Sequence, residues 1–408
     1  MTYYEVKKVF SRKGSKVALL FMLAVLALML YFIIGENTYI NGQGDEEIGL
    51  SAIARVRELK KEWAGDLTEE RIRQVIEENV RISQTPEALS SDFQQNDMAY
   101  SKKQGFMDIR DLLVYSYGGF NDYDYYLPDS LSPDQAADFY TNRVKGLEEW
   151  LNTEAKDQFS EKEKSYLIAK YEELETPLYY DYQAGWKSLF QYSPAAITIV
   201  TLVISFLCAG IFSGEFQQKS SPVFFASLYG RNRAVAAKVK GGLAVASLVY
   251  WGTVLLYTGL VLGILGADGA GCLIQSTQAG WKSIFQITNW QEYLLIVLGG
   301  YLDCLFTLLL TMLVSAKTNS SVVAVVVPFF LIFLPSFLAS SSAAWLQRVL
   351  GLLPDQLLQI NSVVRNFTLY EIGGRICSAM PLLMILYSFL SLVLVPVVYL
   401  TYRRKQVY

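Results

Sequence analysis

Few residues in this chain have both the type and the placement for chemistry. Its 408 residues include no histidine. That removes imidazole base catalysis and imidazole metal ligation from consideration. The four cysteines, Cys208, Cys272, Cys304 and Cys377, form no Cys-x-x-Cys pair, so neither a metal site nor a disulfide framework is expected. They read as small apolar packing residues. No G-x-S-x-G elbow is present, and Asp303 is the one acidic residue in the middle of an apolar run, LLIVLGGYLDCLFTLLLTMLV. A lone carboxylate is too little for intramembrane proteolysis. An Asp in mid-span costs about 2.5–3.5 kcal/mol on insertion, and Asp303 lies about 16 Å below Glu292 at the helical rise. It is expected to face the bundle interior, either as a transport-pathway residue or as a structural hydrogen-bonding group. No catalytic residue, metal ligand set or bound cofactor is expected on this chain.

The elements that would position such residues follow from composition. Apolar residues make up 52% of the chain and charged residues 18%, with mean hydropathy +0.26. That mixture implies a membrane domain joined to a water-facing one. Residues 35–193 hold 31 acids against 17 bases, and the remainder 7 acids against 18 bases. The run VALLFMLAVLALMLYFII (17–34) is long enough to cross the hydrocarbon. It follows a basic leader, but no A-x-A cleavage pattern comes after it, so an uncleaved span is expected rather than a signal peptide. Further spans are expected at about 194–213, 240–265, 292–315, 321–339 and 379–401. The predicted class is an all-α polytopic membrane protein of six transmembrane helices, with a mostly helical extracytoplasmic domain over 35–193.

Charge sets the expected orientation. Segments 1–16, 214–239, 316–320 and 402–408 hold thirteen of the basic residues, among them Lys7, Lys8, Lys219, Lys317 and Arg403. The outer loop 266–291 and outer segment 340–378 hold only Lys282, Arg348, Arg365 and Arg375. Both termini are therefore expected in the cytoplasm of a plasma-membrane protein. Pro328, Pro335 and Pro396 should kink the last two spans. The apolar spacing of Leu346, Val349, Leu350, Leu353 and Leu357 predicts an interfacial or re-entrant helix over 343–360, interrupted at Pro354.

One phrase occurs twice: QAGWKSLFQ at 183–191 and QAGWKSIFQ at 278–286. In a helix Trp186, Leu189 and Phe190 share a face, as do Trp281, Ile284 and Phe285. The expectation is a pair of interfacial helices anchored at the outer rim by Trp186 and Trp281. In the acidic domain, Thr68 is placed to cap LTEERIRQVIEENVRI, whose apolar Ile72, Val75, Ile76 and Val80 recur at helical spacing. SPDQAADFYTNRVKGLEEWL opens on a Ser132–Gln135 capping box with Pro133 at the first turn. EKEKSYLIAKYEEL continues as a charged helix. The loop YSYGGFNDYDYYLPDSL (115–131) reads either as an aromatic turn closing a small core or as a contact for a polar or peptidic ligand. Asp122, Asp124 and Asp129 lack the terminal Glu of a calcium loop.

The segment GEFQQKSSPVFFASLYGRNRAVAAKVKGGL (214–243) carries an acid, Glu215, then an apolar stretch through Phe224, Phe225 and Leu228, a Gly-Arg turn with Arg231 and Arg233, and Lys238. This pattern resembles the type-2 permeases of ATP-binding-cassette (ABC) exporters, in the subgroup with a large domain between spans one and two. The six-span layout and the basic amphipathic N-terminus, YYEVKKVFSRKGSK, are similar as well. So is the segment WLQRVLGLLPDQLLQI before the last span. The resemblance implies a permease subunit coupling ATP hydrolysis by a separate ATPase to export of a peptide or lipid-like compound. The resemblance also implies a homodimer or a heterodimer with a second permease. The chain has no G-x-x-x-x-G-K-[ST] loop, so ATP and magnesium would be used by the partner. A helix over 216–229 would dock on that ATPase through Phe224, Phe225 and Leu228. Arg231 and Arg233 would meet acidic groups or lipid phosphates, and the resemblance counts Glu215, after span two, and Lys238, entering span three, among the coupling residues. Membrane lipid is an expected partner and nucleic acid is not. The alternative is a non-transporting sensor or scaffold whose outer domain binds a ligand.

Overall fold

A computed structural model describes residues 1–338 and 344–405. The predicted end of the fifth span at 339, the start of the 343–360 segment and the last residues of the tail lie outside them. Among the described residues five helices are long and apolar enough to cross a membrane: Lys13–Glu36, Ala184–Gln217, Arg233–Leu265, Asn289–Thr318 and Ala379–Arg403. They cover predicted spans one to four and six. The predicted fifth span is a helix, Ser321–Leu338, containing Pro328 and Pro335; its described apolar run, Ser321–Pro335, is shorter than the others. Two helices begin earlier than expected. The second starts at Ala184 and continues through Pro194, and the third starts at Arg233. Pro194 lies inside the second apolar helix, and the Phe190 carbonyl it leaves without a donor from the helix accepts from the Asn361 side-chain amide (3.0 Å), so the freed backbone group is satisfied by a neighbouring segment.

The fourth apolar helix, Asn289–Thr318, is the centre of the bundle. It opens on a Thr288–Gln291 capping box and ends on Asn319 in the left-handed region, φ 58°. It packs against the second, the last (Ala379–Arg403) and Ser321–Leu338. The first apolar helix buries only Ser15, Met22, Leu26 and Ile33, while Val17, Leu20, Phe21 and Leu28 are exposed. An apolar outward face is what lipid demands. The chain is a multi-pass helical membrane protein.

The polar lobe is helical, as expected, but not purely so. Thr68 accepts a hydrogen bond from the Arg71 amide, and Glu69–Ser83 buries Ile72, Val75 and Ile76. The Ser132–Gln135 box opens a 3-10 turn, Pro133–Asp138, before the helix Phe139–Asn152, where one continuous helix was expected. Ser160 and Glu163 cap Glu161–Glu172 reciprocally. Short antiparallel pairs join Thr38–Ile40 to Glu46–Ile48, Gly65–Asp66 to Tyr179–Tyr180, and Leu369–Ile372 to Arg375–Ser378. Three small β-ribbons thus qualify the all-α expectation.

The lobe is also discontinuous in sequence. Trp281 belongs to the lobe core with Leu67, Ile72 and Phe139. Ile284 and Leu369 close a second small core with Leu147, Leu151 and Leu167. Segments expected as separate outer loops are therefore part of the lobe. Arg143 clamps them: its guanidinium donates to the carbonyls of Trp281 (3.1 Å), Ser283 (2.9 Å) and Tyr171 (3.3 Å), and it lies 3.7 Å from the centre of the Tyr171 ring.

The repeated phrase does not repeat its structure. The first copy forms the opening turns of the second apolar helix, and the second is a series of turns over residues 278–286. Trp186 packs in the bundle core and Trp281 in the lobe core, both buried. This corrects the expectation that they anchor at a lipid interface. What the copies share is local. A Cβ on Gly185 would lie 2.2 Å from the Gly266 carbonyl oxygen, and one on Gly280 would lie 2.0 Å from that of Ile274. Only glycine allows either approach. Each lysine then reaches into the lobe, Lys187 to Asp108 (2.7 Å) and Lys282 to Asn121 (3.0 Å).

Asp108 ties the lobe to the bundle, accepting from Lys187, Lys60 (2.8 Å) and the Tyr180 hydroxyl (3.0 Å). Burial alone would raise its pKa, but the two lysines hold it well below the usual carboxylate range. Its neighbour Asp111 is pushed the other way, from 3.8 up to about 6, by burial and then by the Asp108 charge. A carboxyl whose pKa is raised on folding contributes stability below its unfolded value and loses it as pH rises through the folded one. Asp111→Asn is therefore expected to flatten the decline in lobe stability between pH 3.8 and about 6 and to stabilise the lobe at neutral pH. Thermal unfolding of both forms across that pH range measures it.

Candidate functional site

The end of the bundle away from the lobe holds the most developed polar site, built from three separated stretches of chain. The second apolar helix delivers Glu215 in its last turn. The chain then reverses at Lys219, held at φ 55°. The short helix Ser221–Ala226 follows, where a helix over 216–229 was expected. A tight Gly230-Arg231 turn leads into the third apolar helix. A side chain at 230 would put its Cβ 1.8 Å from the Phe224 carbonyl oxygen, so the turn needs glycine there. In the second turn of the next helix stands Lys238, fully buried.

Lys238 Nζ donates to Glu215 Oε1 (2.6 Å), to the Ile211 carbonyl (2.8 Å) and to Glu5 Oε2 (3.4 Å). Glu215 Oε1 also accepts from Lys8 (3.1 Å). The hydroxyl of Tyr402, near the end of the last apolar helix, donates to the Phe212 carbonyl (3.1 Å) and lies 3.4 Å from Glu215 Oε2. Two acids thus balance two bases. A buried charge is tolerable only when its partners replace the water it lost, and here both Lys238 and Glu215 are multiply bonded. The amphipathic helix Thr2–Ser11 supplies Glu5 and Lys8 and packs along the third apolar helix.

An aromatic cluster covers the ionic pair. Phe225 sits 5.2 Å from Tyr402 and 6.1 Å from Phe216, Phe212 lies 4.5 Å from Tyr402, and the Phe224 ring lies 5.4 Å from Lys238 Nζ. Arg231 lies over Phe225 and donates to the carbonyls of Arg403 (3.2 Å) and Lys405 (3.0 Å). Arg233 lies over Tyr229 at 4.7 Å. Lys405 donates to the Lys317 carbonyl (3.0 Å) and to that of Ala316, closing the last helix onto the fourth.

Among the residues expected to face an external partner, Leu228 is 86% exposed. Phe225 is buried and Phe224 half-buried, so both belong to the inner packing and neither is a free anchor. Val223, 76% exposed, and Tyr229 form the outer edge with Leu228. Arg231 and Arg233 are exposed but engaged by rings and carbonyls. Glu215 and Lys238 are joined to each other. Glu5, Lys8 and Tyr402 complete the site and were not singled out from sequence. Glu5 had a signal: it is the one acid in the basic first 35 residues. Tyr402 had none.

Asp303 lies apart from this cluster, fully buried in the fourth apolar helix. Its Oδ1 has a long bond from Thr307 (3.5 Å), and Oδ2 has no partner among the described residues. The segment before the last apolar helix is broken at Pro354, as expected, into Ala344–Leu350 and the short helices Asp355–Leu358 and Ile360–Arg365. Leu357 and Leu358 are buried, and Arg365 pairs with Glu292 at 3.0 Å.

Fold and site together define a polytopic helical membrane protein with a polar lobe at one end and an ion-paired, aromatic-covered linker at the other. No family model, no curated protein and no solved structure matches the chain.

Proposed function

We propose that this chain is the permease subunit of a type-2 ABC exporter. It crosses the plasma membrane six times, with both termini in the cytoplasm and the lobe outside, and exports a peptide or lipid-like compound as one half of a permease dimer. The observation that carries this reading is the linker 218–232. Its inner face is fastened through Phe225 and Arg231 to the ends of neighbouring helices, and its outer edge presents Val223 and Leu228 without cover. An exposed apolar edge beside basic residues suits docking on another protein. Movement there would pass to the helices through the Glu215–Lys238 pair rather than dissipate in a loose loop. ATP and magnesium act in the partner, and this chain supplies the seat and the lever.

A photo-crosslinker placed at position 223, on the same exposed edge as Leu228, tests this in native membranes. Capture of a protein bearing a nucleotide-binding loop supports the reading, whereas capture of only lipid or this chain itself overturns it. Leu228→Asp is expected to reduce that capture by about tenfold or more, the scale of an interface anchor. It should leave thermal stability unchanged, because the side chain is already in solvent.

A further inference from the structure

The lobe end of the bundle holds a cavity distinct from the linker site. It measures about 360 Å³ and lies between the second apolar helix, the helix Ser321–Leu338 and the broken segment at 355–362. Ile332, Phe333 and Leu358 supply apolar lining, and Gln191, Thr198 and Asn361 supply polar lining.

Among the described residues Asp355 is the one ionisable group that lines it. Asp355 is 3% exposed. Its Oδ2 accepts from the Gln356 side-chain amide (2.8 Å), and its Oδ1 has no partner among the described residues. Burial pushes its pKa from 3.8 up to about 6, the direction of a carboxylate with no base beside it. The elements packed around it supply none. Asp303 in the fourth apolar helix adds a second acid that interacts with Asp355. The helix Ser321–Leu338 carries no ionisable residue, and Arg365 is paired with Glu292 at 3.0 Å. The neutral lining is biased the same way. Thr198 donates its hydroxyl to the Pro194 carbonyl (2.8 Å), Asn361 its amide to that of Phe190 (3.0 Å), and Gln191 its amide to Glu36 (3.4 Å). The donors are engaged by the surrounding protein, and the side-chain oxygens of these three accept no bond among the described residues. A buried carboxylate oxygen without a donor is costly. An ammonium supplies both the donors and the missing charge.

We infer that this cavity binds a primary ammonium carried on a short apolar body, the ammonium at Asp355 Oδ1 and the body against Ile332 and Phe333. The free N-terminus of a short peptide and a small arylalkylamine share this chemistry. The charge-assisted bond to the carboxylate selects the cation, and the aromatic and branched side chains hold the apolar body with little specificity.

The test uses the full-length protein in a non-ionic detergent at neutral pH and titration calorimetry with two pairs of probes. One pair is the dipeptide amide Phe-Leu with a free N-terminus and its N-acetyl form. The other is 2-phenylethylamine and its neutral counterpart 2-phenylethanol. Each ammonium is expected to bind at least about tenfold more tightly than its neutral counterpart, since a charge-assisted hydrogen bond contributes on that scale. Tighter binding of the dipeptide than of 2-phenylethylamine assigns the site to peptide N-termini, and the reverse assigns it to free amines. Either supports the inference. Equal affinity for charged and neutral probes, or no heat from the two ammonium probes at millimolar concentration, overturns it. Asp355→Asn, close to isosteric, should remove the difference within each pair; where that variant fails to fold, the comparison of charged with neutral probes on the unaltered protein decides. Phe333→Ala should weaken binding severalfold without unfolding, because the ring is 45% exposed. Glu62→Gln, exposed on the lobe, should change neither. Because no ATPase is involved, the outcome is separate from that of the crosslinking experiment.

Discussion

Glu215→Ala is expected to destabilise the protein by about 3–5 kcal/mol, the scale for removing one member of a buried ion pair. The reason is the fate of Lys238. Its ammonium is fully buried and would keep only the longer contact to Glu5 and the Ile211 carbonyl. Lys8 is partly exposed and can turn to water, so it does not add to the loss. Lys238→Met should cost less, because Glu215 retains Lys8 and the Tyr402 hydroxyl. The double variant Glu215→Leu/Lys238→Met should regain much of the stability, since replacing a whole buried pair by apolar groups is often close to neutral. Thermal or denaturant unfolding of the four forms gives the interaction energy directly. A loss below about 1 kcal/mol for Glu215→Ala, the range of an exposed pair, would show that water reaches this site. On the permease reading the double variant would be stable yet unable to couple ATP hydrolysis to export. That combination separates a structural pair from a transmitting one.

Arg143→Met carries the second large effect. One guanidinium satisfies three buried carbonyls and stacks on a tyrosine. Losing charge-assisted bonds and leaving their acceptors unpaired costs about 3 kcal/mol or more in total. The loss is expected to be local, because two of the acceptors lie in 281–283, which reaches the lobe from between two apolar helices. Hydrogen exchange should rise sharply over residues 278–288, whereas the amides of Asn289–Thr318 should keep their protection. Arg143→Lys should recover only part of the protection, because an ammonium cannot reproduce the planar fork. Uniform loss of protection across lobe and bundle would show instead that the two unfold as one unit.

These sites differ in how far they could be read from the chain. Glu215, Arg231, Lys238 and Leu228 were all visible as residues. A charge beside an apolar run and a Gly-Arg turn are local patterns, and their cost in hydrocarbon is local too. Their partners were not visible. Glu5 lies 233 positions from Lys238 and Tyr402 lies 187 from Glu215. Which acid meets which base depends on how four helix ends pack. For the same reason Phe224 and Phe225 looked like free anchors. Hydrophobicity indicates that a side chain leaves water, but not whether it does so in its own fold or in a partner.

The repeated phrase shows the opposite limit. Nearly identical sequences at 183–191 and 278–286 take different backbones because their flanks differ. One runs on into an apolar helix that propagates it, while the other is held in turns by Arg143 and by the bridge from Leu273 to Thr288. Local pattern by itself determined the apolar helices, the capped lobe helix at Thr68, and the separation of an acidic region from a basic one, because transfer and capping energies are set within a few residues. Tertiary structure alone decided that the lobe draws on three stretches of chain, that Trp186 and Trp281 are core residues, and that Lys238 is neutralised from two other helices. Those outcomes depend on contacts between segments far apart in sequence, and a desolvated charge or ring is stable only where such contacts replace the water it gave up.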